Sequence, residues 1–336
     1  METKSVVFES PWKVEFKEKN GNGKGLPAGV AFVQTETSVV SAGTELAILS
    51  GNESWAPLPY APGYGIVGTV RAKGDGLDSV DVGDRAFTFG QHASFSLSNT
   101  LIAKVPEGLS SEHAVLARIA QIAMVAERTS ETHVGDYVAV LGLGLVGNFA
   151  AQLFSIAGCE VIGVDLSSKR RDIATECGVA HVVDGSGDVK EAISDITNGK
   201  MCRTVVEATG VPAVACQASE YSAFLGEVIL LGSPRGERTE DVTPMLNRIH
   251  LWPKGCVTYK GAHEWRMPID NDPNGHIHYS FQNNVETIFR LMQNGKLAVE
   301  PIITHIASPD QAPEVYKGLR ENPDEYMGVV FDWRKL

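Results

Sequence analysis

The sequence predicts an α/β protein with two domains, a small β-barrel and a doubly wound parallel sheet. Three observations support this fold class. The chain has 336 residues, enough for two hydrophobic cores. Its first third contains short β-like segments broken by glycine and proline, with little helical periodicity. From Tyr137 onward, strand-like and helix-like segments alternate, which is typical of a parallel sheet covered by helices.

Residues 1–115 are predicted to form the barrel domain. At Ser110–Arg128 the pattern becomes helical, with Ser110 or Ser111 as a plausible N-cap. The predicted strands before this helix are Val30–Thr35, Gly65–Ala72, Arg85–Phe89, Ala93–Ser96 and Thr100–Lys104.

Residues 116–263 are predicted to form the parallel-sheet domain. The alternation ends after Val257–Ala262, so residues 264–336, with an amphipathic helix at Phe281–Asn294, are expected to complete the first domain. The predicted strands are Tyr137–Leu141, Glu160–Val164, His181–Val183, Thr204–Glu207 and Glu227–Leu231. The predicted helices are Leu145–Ala157, Ser168–Cys177, Val189–Thr197 and Pro212–Phe224.

The first strand of this domain runs into a G-x-G-x-x-G turn. Gly142 permits a tight turn, Gly144 lets the backbone approach a pyrophosphate, and Gly147 lets the helix pack close to the sheet. The helix then directs the N–H groups of its first residues, Leu145 and Val146, toward the phosphates. Strand, turn and helix are in register, so the segment predicts a dinucleotide-binding site.

Asp165 ends the next predicted strand, where a carboxylate can bind a ribose diol. It would pair with the 2′-hydroxyl of NAD and repel the 2′-phosphate of NADP, so NAD is the expected cofactor. Lys169, Arg170 and Arg171 follow and could hold a phosphate, or they lie on a solvated helix face. Two further loops, at Thr209 and at Gly232-Ser233, are expected at the same edge of the sheet.

Composition restricts the partners and the compartment. The formal net charge of −12 argues against nucleic acid or an anionic membrane as a partner. Five cysteines without a C-x-x-C pair fit free thiols in a reducing compartment. No apolar run approaches the roughly 20 residues of a membrane helix, and the first residues lack a signal pattern. A soluble cytoplasmic protein acting on a small molecule is therefore expected.

Several ordered motifs resemble those of the medium-chain dehydrogenase/reductase superfamily, especially its sorbitol and threonine dehydrogenase branch. The resemblance implies a GroES-like catalytic domain around a Rossmann cofactor domain, and a homodimer or homotetramer. The matching segments are Val40–Glu45 (family I-C-G-T-D), Pro62–Gly68 (P-G-H-E-x-x-G), Val82–Ala86 (V-G-D-R-V), Gly142–Gly147, Val206–Gly210, Tyr259–Ala262 and Pro301–His305 (P-L-I-T-H).

The chain departs from this family at the metal. The positions that hold catalytic zinc in the zinc enzymes are here Ala42, Tyr64 and Ala117, and Gly65 replaces an alternative glutamate ligand. A zinc site needs about three protein ligands. The four-cysteine structural zinc loop is also missing, since the first cysteine is Cys159. A zinc-free member with no metal site is therefore expected.

Without zinc, another group must polarise the substrate oxygen or move its proton. By the resemblance, Tyr64 either points its phenol into the cleft or fills the vacated metal site, and Thr44 matches a proton-relaying hydroxyl. Glu45, which replaces the family's Asp beside the metal site, is either a base now that no metal competes for it or a buried structural partner. Gly261 lies where the family backbone contacts the nicotinamide, so His263 nearby is a candidate for proton transfer.

The expected activity is zinc-independent, NAD-dependent hydride transfer involving a secondary alcohol or ketone, on a sugar, cyclitol or polyol. One alternative is an NAD(P)H-dependent reductase of activated C=C bonds or quinones. Another is a non-catalytic NAD-binding protein.

Overall fold

A computed structural model describes residues 2–20 and 25–336, which divide into two compact units. Unit 1 contains the described chain up to Arg118 together with Pro268–Gly295 and Ile302–Leu336, and unit 2 contains Ile119–Met267 and Lys296–Pro301. The predicted boundaries at 115/116 and 263/264 differ by three or four residues. The segment 296–301, predicted with the first domain, belongs to unit 2. Within unit 2, the Gln152 amide accepts a hydrogen bond from the Ala298 N–H at 2.7 Å and donates one to the Ala298 carbonyl at 3.0 Å.

The described residues contain fifteen strands and ten α-helices. The strands are β1 (Glu2–Ser10), β2 (Lys13–Asn20), β3 (Ala31–Val39), β4 (Ile66–Lys73), β5 (Arg85–Thr88), β6 (Phe95–Ser98), β7 (Ala103–Lys104), β8 (Tyr137–Leu141), β9 (Glu160–Asp165), β10 (His181–Asp184), β11 (Cys202–Glu207), β12 (Ser222–Leu230), β13 (Thr258–Gly261), β14 (Ile303–Ala307) and β15 (Gly328–Asp332). The helices are α1 (Ala42–Leu49), α2 (Ser111–Ala114), α3 (Ala117–Thr129), α4 (Leu145–Ile156), α5 (Ser168–Glu176), α6 (Val189–Ile196), α7 (Pro212–Gln217), α8 (Thr243–His250), α9 (Phe281–Gln293) and α10 (Ala312–Glu321). None of these helices has both the length and the apolar character needed to cross a membrane.

Unit 2, which the structure describes throughout, is built on a six-stranded parallel sheet. The strand order is β10-β9-β8-β11-β12-β13. The chain first adds β9 and β10 on one side of β8 and then adds β11, β12 and β13 on the other side, so the strand order reverses between β8 and β11. Helices separate the strands because parallel neighbours need a crossover. Ligands in such sheets bind beyond the carboxyl ends of the strands at the reversal. The predicted Rossmann domain is confirmed.

One predicted helix of unit 2 is shorter than expected. The helix predicted over Pro212–Phe224 ends at Gln217 and is followed by a 3-10 turn, Ala218–Tyr221. β12 begins at Ser222, opposite Cys202 of β11, so these residues join the sheet. Leu225 also has φ +56°, which a right-handed helix cannot contain.

In unit 1, seven of the described strands form a mainly antiparallel sheet of order β14-β15-β3-β4-β5-β7, with β6 also paired to β3. The end of the chain completes this sheet, since Val330 of β15 lies opposite Val39 of β3. A core cluster that includes Val33, Ile66 and Val70 packs on one part of the sheet. The architecture fits the predicted GroES-like domain, and Ile302–Leu336 belongs to the same unit.

The β1–β2 hairpin of unit 1 was not predicted from the sequence. Its two-residue turn is Pro11-Trp12, with Trp12 at φ +61°, and it lacks the Asn-Gly or Asp-Gly signal of common hairpins. Single bridges at Ser5–Ala93 and Phe8–Tyr60 join the hairpin to the rest of the unit.

Candidate functional site

The glycine turn after β8 has the backbone geometry of a phosphate-binding loop. Gly142 has φ +90°, in the left-handed region that favours glycine. Gly147 has no room for a side chain, because a Cβ there would lie 1.8 Å from the carbonyl oxygen of Gly142. The two glycines therefore allow α4 to start directly against the end of β8.

Gly144 differs from these two glycines because open space lies beside it. A Cβ built on Gly144 would meet no atom closer than Arg170 Nη1, at 4.0 Å. Gly144 is the N-cap of α4, so the N–H groups of Leu145, Val146 and Gly147 lie in the first turn, where the helix supplies no acceptor. A pyrophosphate fits here because these N–H groups and the helix dipole attract anions.

The carboxylate of Asp165 is fixed against the same turn. Its Oδ2 accepts a hydrogen bond from the Leu143 N–H at 2.7 Å, and its Oδ1 accepts one from the Ser167 N–H at 2.9 Å. Asp165 is only 9% exposed. Each carboxylate oxygen has a further lone pair, so the group can also accept hydrogen bonds from ribose hydroxyls.

The basic residues after Asp165 have different positions. Arg170 Nη1 lies 3.9 Å from Asp165 Oδ2 and faces the space beside Gly144. Arg171 instead donates to the Asp165 carbonyl at 2.7 Å and pairs with Asp184 at 3.1 Å. Arg170 is thus placed to contact a cofactor, whereas Arg171 stabilises the edge of the sheet.

A second loop at this edge is organised by Glu207, which was not predicted from the sequence. Its Oε1 accepts hydrogen bonds from the N–H groups of Thr209 and Gly210, at 2.7 and 3.1 Å, and from the Thr209 hydroxyl. Glu207 is 1% exposed. Burial raises its pKa, and the hydrogen bonds from Thr209 and Gly210 oppose that rise. The sequence signal that could have identified Glu207 is an acidic residue at the end of an apolar strand, just before a loop that contains Thr209 and Gly210.

The three loops after β8, β11 and β12 are in close contact. A Cβ on Gly142 would lie 2.8 Å from Thr209 Cγ2, and one on Gly210 would lie 2.4 Å from the Ser233 carbonyl oxygen. A Cβ on Gly232 would lie 2.3 Å from the Gly210 nitrogen. The predicted cofactor residues of these loops therefore lie together at one edge of the sheet.

Gly261 and His263 lie at and just after the end of β13. A Cβ on Gly261 would meet nothing within 4 Å, so its backbone is open. The exposed His263 caps a 3-10 helix, Glu264–Arg266, because its Nδ1 accepts from the Trp265 N–H at 3.4 Å. The imidazole is therefore oriented by its own backbone segment.

In unit 1, Tyr64 forms a stacked pair with Arg118. The guanidinium carbon lies 4.4 Å from the centre of the Tyr64 ring and 4.7 Å from that of Phe89. Arg118 Nε donates to the Tyr64 carbonyl at 3.2 Å. Arg118 was not predicted as a site residue, although the sequence shows it as the single charged residue in the run Val115–Ala120, which is otherwise apolar.

Tyr64 and Arg118 line a cavity of about 450 Å³ in unit 1, a volume within the range of small-molecule sites. Phe89 and Phe95 supply apolar surface. Hydrogen-bonding side chains also line it, namely Gln91, Ser96, Ser98, Asn99 and Thr100. The cavity can therefore accept a polar molecule with several hydroxyl groups.

Glu45 is a buried carboxylate that connects three other residues of unit 1 by hydrogen bonds. It is 1% exposed, and its Oε1 accepts from the Ser41 N–H at 2.9 Å. Its Oε2 contacts His92 Nε2 at 3.1 Å and accepts from the Tyr316 hydroxyl. Burial and the nearby Glu45 raise the Tyr316 pKa well above its usual value. The carboxylate has no access to a substrate in solution, so the general-base role considered for Glu45 is withdrawn. His92 is itself fully buried, and its Nδ1 lies 2.8 Å from the Ser38 hydroxyl.

Thr44 and the positions of the missing metal ligands also lie in unit 1. Thr44 is half-buried on α1. The side chains of Ala42, Gly65 and Ala117 have no donor atoms. Among the residues that the structure describes, no three His, Cys, Asp or Glu side chains are placed to hold a metal ion. The Arg118 charge on the Tyr64 ring would repel a dication, so these residues do not fit zinc.

Comparison with known proteins agrees with this geometry. A family model described as zinc-binding dehydrogenase matches residues 146–271. The chain is 24% identical to a zinc-type alcohol dehydrogenase-like protein of Haemophilus influenzae, over 97% of each chain. It is 28% identical to the D-guloside 3-dehydrogenase of Shigella flexneri, over 79% of this chain and 76% of that one.

Solved structures share the fold over nearly the whole chain. A candidate zinc-binding dehydrogenase from Sinorhizobium meliloti 1021, solved with bound NADP, superposes with a TM-score of 0.80. It is 22% identical and covers 99% of both chains. In fold and in sequence the chain is therefore similar to the medium-chain dehydrogenase/reductase superfamily, and the similarity supports an oxidoreductase.

Proposed function

We propose that the protein is a zinc-independent, NAD-dependent dehydrogenase that interconverts a secondary alcohol and its ketone. The observation that carries this proposal is the buried Asp165 carboxylate, fixed against the glycine turn beside the open space at Gly144. A carboxylate there suits the 2′-hydroxyl of NAD and repels a 2′-phosphate. The Sinorhizobium neighbour binds NADP, and Arg170 lies close to Asp165, so both cofactors belong in the test.

The proposed substrate is a sugar, cyclitol or polyol. The side chains of Gln91, Ser96 and Asn99 give the cavity donors and acceptors that match a polyhydroxylated molecule. The relative that acts on a D-guloside supports the same substrate class.

The chain's own residues must bind the reacting oxygen and take its proton. Bound NAD would accept the hydride from the carbinol carbon, so the residues of this chain would have to accept the hydroxyl proton that is released. We assign hydrogen bonding to the substrate oxygen to Tyr64, which lines the cavity. Thr44 and the exposed His263 remain candidates for carrying the proton to solvent.

A substrate panel tests the proposal. The purified full chain is incubated with NAD⁺ or NADP⁺ and sugars, cyclitols and polyols, and with NADPH and enones or quinones, while nicotinamide absorbance is followed. We expect a polyhydroxylated alcohol to reduce NAD⁺ at a rate that a chelator does not lower. NADPH oxidation by enones or quinones alone would instead identify a reductase. Cofactor binding without turnover would identify a non-catalytic protein.

Tyr64→Phe tests the phenol specifically. The ring and its stacking on Arg118 remain, so only the hydroxyl is lost. We expect kcat to fall by a factor of about 10², with NAD affinity unchanged, because Tyr64 and the glycine turn belong to different units. An unchanged kcat would remove Tyr64 from the mechanism.

A further inference from the structure

Arg118 is a buried charge in an apolar setting. It is the second residue of α3, only 3% of its surface is exposed, and Ala117, Ile119 and Ala120 around it are fully buried. Burying a guanidinium is costly unless hydrogen bonds and aromatic or anionic partners compensate. A guanidinium that is buried in an apolar environment in spite of this cost suggests that its charge has a function.

The surroundings of Arg118 fix the plane of the guanidinium. Tyr64 and Phe89 each place a ring against it, and the Tyr64 carbonyl accepts from Nε. Gly65 makes room for the stem, because a Cβ there would lie 2.6 Å from Arg118 Cγ. The group is therefore preorganised, which is what makes a hydrogen-bond donor effective toward developing charge.

Arg118 also lies next to the positions that resemble the metal-ligand positions of the zinc enzymes. Tyr64 and Gly65 stand at positions that resemble metal-ligand positions of the zinc enzymes, and Ala117, a third, directly precedes Arg118. These residues do not fit a dication, yet they surround a protein cation that lines the cavity. A guanidinium stays protonated throughout the pH range in which proteins are stable, so its positive charge is permanent.

We propose that Arg118 binds the substrate oxygen that becomes the carbonyl and stabilises the negative charge on it. This inference rests on the proposed alcohol–ketone interconversion. Arg118 donates a hydrogen bond and keeps its proton throughout, so the hydroxyl proton must leave by another group. Arg118 thereby takes the electrostatic role that zinc has in the metal-dependent enzymes.

Substitution of Arg118 tests the proposal, with the best substrate of the panel and NAD⁺. Arg118→Met keeps the unbranched stem without charge, and Arg118→Lys keeps the charge without the planar fork. We expect Arg118→Met to lower kcat by at least about 100-fold and Arg118→Lys to lower it less. The NAD dissociation constant should stay within twofold in both. Arg85→Met is the matched control, since Arg85 only ties main-chain carbonyls and Ser111 together in unit 1; its kcat should change little.

A second readout does not need turnover. Acetate, as a small oxyanion probe, is titrated into the NAD-bound protein by calorimetry at constant ionic strength. We expect binding to the wild type and to Arg85→Met, and at least tenfold weaker binding to Arg118→Met. Wild-type kcat retained in a folded Arg118→Met variant would overturn the proposal and leave the proposed function standing. Acetate binding that depends on Arg118, with no turnover by the wild type, would support the oxyanion site and reject the proposed function.

Discussion

The glycine turn of unit 2 and the Tyr64 cavity of unit 1 are constructed in opposite ways. At the turn, main-chain atoms form the site, and even the buried Glu207 acts by accepting hydrogen bonds from N–H groups. At the cavity, side chains form the site, and the buried Glu45 of the same unit contacts the side chains of His92 and Tyr316. A backbone site is sensitive to added atoms, whereas a side-chain site is sensitive to lost groups.

The largest effect is expected from one methyl group at Gly147. Gly147→Ala places a Cβ 1.8 Å from the Gly142 carbonyl oxygen, so α4 must move away from β8. We expect a loss of about 3 kcal/mol in the free energy of unfolding and no measurable NAD binding. Urea unfolding measures the free energy of unfolding, and a fluorescence titration with the cofactor measures NAD binding. Near-wild-type values for both would show that the helix does not need its close contact with the turn.

A smaller effect, confined to stability, is expected at Glu45. Glu45→Ala leaves the Ser41 N–H, His92 and the Tyr316 hydroxyl without their shared acceptor. We expect the free energy of unfolding to fall by about 2 kcal/mol, while NAD affinity stays constant. Glu321→Gln is the control, because that exposed carboxylate is 4.0 Å from Lys317 and contributes little. Loss of turnover at full stability would return Glu45 to the catalytic candidates.

The smallest effect, in affinity alone, is expected at Gly144. Gly144→Ala adds the same methyl group as Gly147→Ala, but the nearest atom beyond the adjoining residues is Arg170 Nη1, at 4.0 Å. Stability should be unchanged or slightly higher. NAD affinity should fall about tenfold, or about 1.4 kcal/mol, because the methyl group occupies the space beside the phosphate-binding N–H groups. Unchanged affinity would show that the cofactor does not approach Gly144.

Much of unit 2 was predictable because its signals are local. The apolar strand β8, the three glycines and Asp165 follow one another within thirty residues, and the strand and helix limits match within one or two residues. Glu207 was missed because its role depends on a loop that folds back onto its carboxylate. The hairpin of unit 1 was missed because its turn lacks the usual residues.

The sequence alone determined the Rossmann unit, its glycine turn and the absence of side-chain donor atoms at Ala42, Gly65 and Ala117, because glycine conformation and side-chain chemistry are local properties. Only the tertiary structure placed Arg118 between Tyr64 and Phe89 and joined Glu45 to Tyr316, which is 271 positions away along the chain. Such contacts depend on how distant segments pack, and no spacing rule within a segment specifies them.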